Sequence, residues 1–284
     1  MRKLNPGLLM SIPTLLFLFF WFFFPFLYNI YASMFYWTLY NPNIKFIGAE
    51  NFIHALTNID FRNAVFASFF YTVLCFVVEL PLGLGIAMLL SREFKGVGIA
   101  RVLVAIPILM IPVGTSIMWK LLTMPKLGLL QYFSEILGFG VIDFYGNFWL
   151  ASLLILLIDA WQWTPFFAIV LLATLVSLPR EPYEAAKVDG ASPFMVFTKI
   201  TLPSIQPVMV IISILRVLDL LKLSDPIFVV TKGGSGTETL SAYIWRVAFK
   251  PLDIGYGGAV AVLYWILMFV LANILVRRFK SVIQ

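Results

Sequence analysis

An all-α, polytopic membrane helical bundle with six transmembrane helices is the fold class the sequence predicts, and three observations predict it. The 284 residues are 61% hydrophobic and only 12% charged, with a mean hydropathy of +0.96, where soluble globular chains carry about 25% charged residues. The apolar residues fall in runs far longer than the roughly 10 residues of a barrel strand. Those runs show no period-2 alternation. A surface this poor in charge faces lipid, where backbone polar groups find partners only within a helix or a closed barrel. Run length decides for helices.

In chain order, Arg2 and Lys3 precede an apolar stretch with no further charge until Lys45 and no small-residue cleavage site. That is too long for a signal peptide and reads as an uncleaved anchor, with the amino terminus cytoplasmic. Six spans of about 20 residues fall near Leu8–Met34, Ala64–Leu90, Val102–Leu122, Phe148–Thr174, Ser204–Leu223 and Gly257–Val276. Their even number returns Arg277, Arg278 and Lys280 to the cytoplasm, so both termini are expected there. With Arg92, Lys95, Arg101, Arg180, Lys187 and Lys199, eleven of the twenty basic residues then lie inside, as the positive-inside rule expects. The formal charge of +6 is therefore read as an orientation signal in a multi-pass cell-membrane protein, with no nucleic acid implied. The division expected is 1–63, an N-terminal helix and first extracytoplasmic loop, and 64–284, a five-helix transmembrane domain.

Pro25, Pro81, Pro107, Pro112 and Pro165 punctuate the spans and predict kinks. Gly83 and Gly85 would permit close helix approach. Cys75 is the only cysteine and His54 the only histidine. Without a carboxylate cluster beside them no metal site is expected.

The cytoplasmic segment 178–207, between the fourth and fifth spans, reads as two short helices. Pro182 suits a first helical turn, Gly190 a left-handed stop, and Ser192 with Pro193 an N-cap pair. Ala185 and Ala186 offer a small face, Phe194, Val196 and Phe197 bulky apolar groups, and Pro203 is expected to close the element. Such a hairpin fits either an interfacial helix on headgroups or a docking element for a cytoplasmic partner.

Glu184-Ala185-Ala186, Asp189-Gly190-Ala191, Ile200, Leu202-Pro203 and Pro207 match in order and spacing the "EAA" loop of binding-protein-dependent ABC importer permeases, which this chain resembles. Trp161, Thr164-Pro165-Phe166 and Leu178-Pro179 resemble the fourth-span signature of the maltose/multiple-sugar type. Thr231, Gly233-Gly234, Tyr243, Ala248-Phe249 and Gly255-Tyr256 resemble the approach to its last span. Ser235 stands where that family often has proline, Lys232 interrupts the glycine stretch, and Gln131 replaces a frequent asparagine. The resemblance implies sugar import by alternating access. It implies that Glu184, Ala185, Ala186, Asp189, Gly190, Ala191, Ser192 and Phe194 couple the chain to an ATPase. The implied partners are a second permease subunit, two ABC ATPase copies that bind ATP and Mg, an extracytoplasmic sugar-binding protein and membrane lipid. No cofactor is expected in this chain, and no enzymatic activity.

Ionisable groups inside spans mark pathways by default. Arg216, Asp219 and Lys222 recur every three residues and so share a helical face, and Asp159 with Trp163 forms an i,i+4 pair with Phe166 further along. Glu79 reads better as a packing residue, and Arg216 with Asp219 as either a pathway pair or a simple ion pair. Trp21, Trp37, Trp119, Trp149 and Trp265 read as anchors or packing. By motif position, the solute contacts of maltose-type permeases fall on Asp159, Trp161, Gln162, Trp163, Phe166, Arg216, Asp219, Leu220 and Leu223. The glycines 233, 234 and 236 lack the Gly-Lys-Ser/Thr ending of a phosphate loop. An ion-coupled secondary transporter or channel is the alternative, distinguished by having no need of a docking loop. An intramembrane enzyme would need a convergent catalytic set that the spacing does not supply.

Overall fold

The computed structural model describes residues 6–41 and 43–283, so the orientation signal of Arg2 and Lys3 lies outside the described residues. Among the described residues, five helices are long and apolar enough to cross a membrane: Met10–Ser33, Ile59–Leu90, Phe148–Ser177, Pro193–Val230 and Ile254–Lys280. Two further arms, Val97–Leu109 and Pro112–Thr123, are apolar enough only when taken together and are bent by 99°, so they form either one broken span or a re-entrant loop. Outside the helices, Phe35–Tyr36 pairs antiparallel with Lys45–Phe46. The all-α multi-pass bundle is therefore observed.

The bend corrects the expectation of one straight third span over Val102–Leu122. A 3-10 turn at Pro107–Leu109 ends the first arm, and Met110 and Ile111 are extended, with ψ of 146° and 129°. Pro112 causes this. The residue before a proline is pushed out of the helical region, while the proline itself suits the first turn of the next helix.

Pro81 and Pro165 sit inside unbroken helices. Pro203 does not close the hairpin as expected, because the helix runs on from 193 through 220. A π-turn at Phe197–Thr201 makes this possible. Leu202 N–H bonds to Phe197 O, five residues back, and the widened turn accommodates the missing donor of Pro203. The first span repeats the device, with a π-turn at Phe19–Phe23 just ahead of Pro25.

The chain forms two compact units, 1–62 with 243–267, and 63–242 with 268–284. The units thus differ from the division at 63/64 in where 243–267 belongs. In the first, Asn51 Nδ2 donates to Ser33 O and Phe35 O, both at 2.9 Å. Gly255 packs so tightly there that a Cβ would lie 2.1 Å from Phe35 O.

In the second unit, two apolar layers stack along the second, fourth and fifth spans. One holds Tyr71, Ile155, Leu223 and Ile227; the other holds Ala87, Phe167, Leu171, Ile205 and Ile212. Gly83 lets helices meet, since a Cβ there would sit 2.4 Å from Phe167 Cβ. Gly85 faces open space. Glu79, Asp159 and Arg216 each fall between the two layers on their own helices.

Candidate functional site

Arg216 is 3% exposed and is the hub of a buried charged cluster. Its Nε and Nη2 donate to the two carboxylate oxygens of Glu79, at 2.8 and 2.9 Å. Nη2 also donates to Asp159 Oδ2, and Nη1 to Asp219 Oδ2 at 2.8 Å. The guanidinium lies 4.7 Å from the centre of the Trp163 ring, within cation–π range. Lys222 extends the row to Asp219 at 3.3 Å, as the three-residue spacing anticipates. A planar fork can serve three carboxylates at once while stacking on an indole.

Glu79 is fully buried and belongs to this cluster rather than to packing, which corrects the sequence reading. Two carboxylates also stand beside Cys75, contrary to its expected isolation. Its Sγ and an oxygen of each of Glu79 and Asp159 lie within 4.8 Å of one another. The i,i+4 spacing of Cys75 and Glu79 on one helix was a signal available for this. Both carboxylates are already engaged by Arg216, so a metal ion would have to displace one cation to introduce another.

Beside the cluster is a cavity of about 150 Å³, lined by Asp159, Gln162, Trp163, Arg216, Asp219 and Leu223 among the anticipated residues. Pro112, Ile158, Lys222, Ser224, Asp225 and Pro226 complete it. Trp161, Phe166 and Leu220 are not in its lining. Trp161 meets Trp119 edge to face at 6.3 Å, Phe166 packs in the apolar layer around Phe167, and Leu220 is fully buried. Trp119 is thus packing, as anticipated, with its Nε1 buried and unpartnered. Gln162 Nε2 donates to Met110 O at 2.8 Å, tying the cavity wall to the break of the third span.

The helices that bring Pro112 and Pro226 to the cavity are tied to each other by Lys120, whose Nζ donates to Val229 O at 2.6 Å. Tyr145 donates to Lys120 O at 3.1 Å. Burial pushes the Tyr145 phenol above its ordinary pKa.

The hairpin forms as two helices. Glu181–Val188 ends in a double-bonded left-handed stop: Gly190 has φ +69°, its N–H reaches Lys187 O, and Ala191 N–H reaches Ala186 O. This is the Schellman arrangement that glycine favours. Ser192 then caps the next helix through Met195 N–H at 3.3 Å. Tyr183 Oη donates to Thr201 Oγ1 at 3.2 Å and pins the two helices together.

Ala186 is buried whereas Ala185 is exposed, so the pair does not form one small face; neighbours in a helix point apart. Glu184, Asp189, Gly190 and Ser192 are exposed and Ala191 half-buried. Val188 is 86% and Phe194 76% exposed, two bulky apolar groups standing free at the tip.

The family model for the binding-protein-dependent transport system inner membrane component matches residues 79–283. A probable ABC transporter permease protein, y4oQ of Sinorhizobium fredii, is 36% identical over 252 residues, 87% of this chain and 81% of the relative. The trehalose/maltose transport system permease protein MalF of Thermococcus litoralis is 32% identical over 282 residues, 98% of this chain and 96% of the relative. In fold, the chain is similar to a subunit of a bacterial alginate ABC transporter, with TM-score 0.86 at 18% identity, covering 97% of this chain and 94% of that one. A multi-pass bundle with an exposed helical hairpin between its fourth and fifth spans, matched by that model over most of its length, belongs to the family of binding-protein-dependent transport system inner membrane components.

Proposed function

We propose that this chain is one half of the alternating-access pathway of an ATP-driven saccharide importer, coupled to its ATPase through the 178–207 hairpin. The chain is a transport component and performs no covalent chemistry of its own. One observation carries the reading: the helix that leaves the hairpin at Pro193 is the same helix that holds Arg216 and Asp219 at the cavity. A load on Phe194 is therefore transmitted along one continuous helix to the charged cluster. The exposed apolar tip fits a groove on a cytoplasmic partner.

The cavity offers what a saccharide needs. Asp159, Gln162, Asp219 and Ser224 can hydrogen-bond hydroxyls, and the Trp163 face suits the apolar side of a sugar ring. Trp161, Phe166 and Leu220 remain in this proposal as the packing that holds the wall. One relative is named for trehalose and maltose, and a fold neighbour for the acidic polysaccharide alginate; these support a saccharide and leave its charge open. The full assembly proposed contains a second permease chain, two ATPases that bind ATP and Mg, and an extracytoplasmic binding protein, in a cell membrane with both termini cytoplasmic.

The test is ATPase activity of the co-purified complex in nanodiscs, with binding protein and a disaccharide panel, for wild type and Glu184→Lys. A sugar-stimulated rate that collapses in the variant while sugar binding persists supports the reading. If no ATPase co-purifies, or the variant couples normally, the docking assignment fails and ion-coupled transport replaces it.

A further inference from the structure

The charge of the cavity wall separates classes of saccharide. Among its lining residues are the carboxylates of Asp159, Asp219 and Asp225 and the cations of Arg216 and Lys222, with the Glu79 carboxylate directly behind Arg216. Four carboxylates against two cations leave the wall formally negative, and it stays negative if any one of them takes up a proton. The cations are also spent. Arg216 is enclosed by Glu79, Asp159 and Asp219, and Lys222 faces Asp219. Asp225 has no ion-pair partner among the described residues and is the half-buried carboxylate that faces the space without a counter-charge.

We infer that Asp225 is a specificity-determining residue that sets the cavity against anionic saccharides and admits neutral or amino sugars. This rests on the saccharide reading above and extends it. An incoming carboxylate or phosphate would meet the unpaired Asp225, while each cation of the cavity wall already faces a carboxylate. Like charges brought together in a partly dry cleft repel far more strongly than in water, and such repulsion is an effective way to discriminate between ligands of equal shape.

The test measures saccharide binding to the complete membrane complex in nanodiscs without the binding protein, so that the binding protein's own selectivity does not enter. Labelled trehalose is competed with unlabelled trehalose, trehalose 6-phosphate and an aminodeoxytrehalose. In wild type, the phosphate should compete at least about tenfold more weakly than trehalose, and the amino sugar at least as well as trehalose. Asp225→Asn should shrink the phosphate-to-trehalose ratio by about threefold or more, while Asp225→Glu, which keeps the charge, should restore it. A phosphate that competes as well as trehalose in wild type overturns the inference alone, as does a ratio unmoved by Asp225→Asn. Absence of saturable binding by every saccharide overturns the inference together with the saccharide reading.

Discussion

Replacing Arg216 by methionine is the perturbation that weighs the charged cluster most directly. The side chain is nearly isosteric along its stem, but its loss strands the Glu79 and Asp159 carboxylates, while Asp219 keeps Lys222. Glu79 is fully buried and Asp159 is 3% exposed, so neither can recover its hydration, whereas Asp219 at 42% can. Removing one partner of a buried pair costs about 3–5 kcal/mol, because a charge is left uncompensated. At about 2 °C per kcal/mol for a chain of this size, the expected fall in Tm is about 6–10 °C.

Arg216→Lys should fall between this and wild type. An ammonium keeps the charge yet cannot span both Glu79 oxygens, Asp159 and Asp219 together. Asp219→Asn removes only the half-exposed partner and should cost about 1 kcal/mol or less. Adding Glu79→Gln to Arg216→Met removes one stranded charge and should recover part of the loss. The assay is thermal unfolding of the purified complex by intrinsic fluorescence at one fixed scan rate. If Arg216→Met unfolds within 2 °C of wild type, or less readily than Asp219→Asn, the cluster does not hold the helices together and the reasoning fails.

Gly83→Leu should prevent assembly, since a Cβ there already meets Phe167 Cβ at 2.4 Å, while Gly85→Ala should be neutral; yield of folded complex by size-exclusion chromatography separates the two. Lys120→Met leaves Val229 O without its side-chain donor and should cost about 1–3 kcal/mol, read as a lower Tm. Phe194→Ala, on a side chain 76% exposed, should leave the Tm of the isolated chain within 1 °C but reduce ATPase retained on co-purification; equal retention would remove the tip from the interface.

Span existence was legible because apolar length alone decides whether a helix crosses lipid, and the charged face at 216, 219 and 222 because it needs only one helix's periodicity. The partners of Arg216 on other helices were not. Glu79 and Asp159 lie on other helices, and the relative register of two helices is set by contacts such as Gly83 on Phe167 that no single-sequence period encodes. Hydropathy counts residues without direction, so it found the third span but not its bend; the extended backbone demanded ahead of Pro112 was the available clue. The hairpin's turns were readable from Gly190 and Ser192, whose roles are local. Its continuation through Pro203 was not, because a π-turn leaves no pattern in composition.

That π-turn also sets a phase. It holds one residue more than an α-helical stretch of equal rise, so it offsets everything beyond it by about 100° around the axis. The direction in which Phe194 points is thereby set against the direction in which Arg216 points. Deleting one residue between 197 and 201 would erase the offset. It would turn the hairpin's tip by about that angle relative to the charged cluster, and force Pro203 against the carbonyl behind it. In the coupling proposed above, the five residues Phe197–Thr201 would act as the timing mark of the lever: their number, more than their chemistry, would keep its two ends aimed.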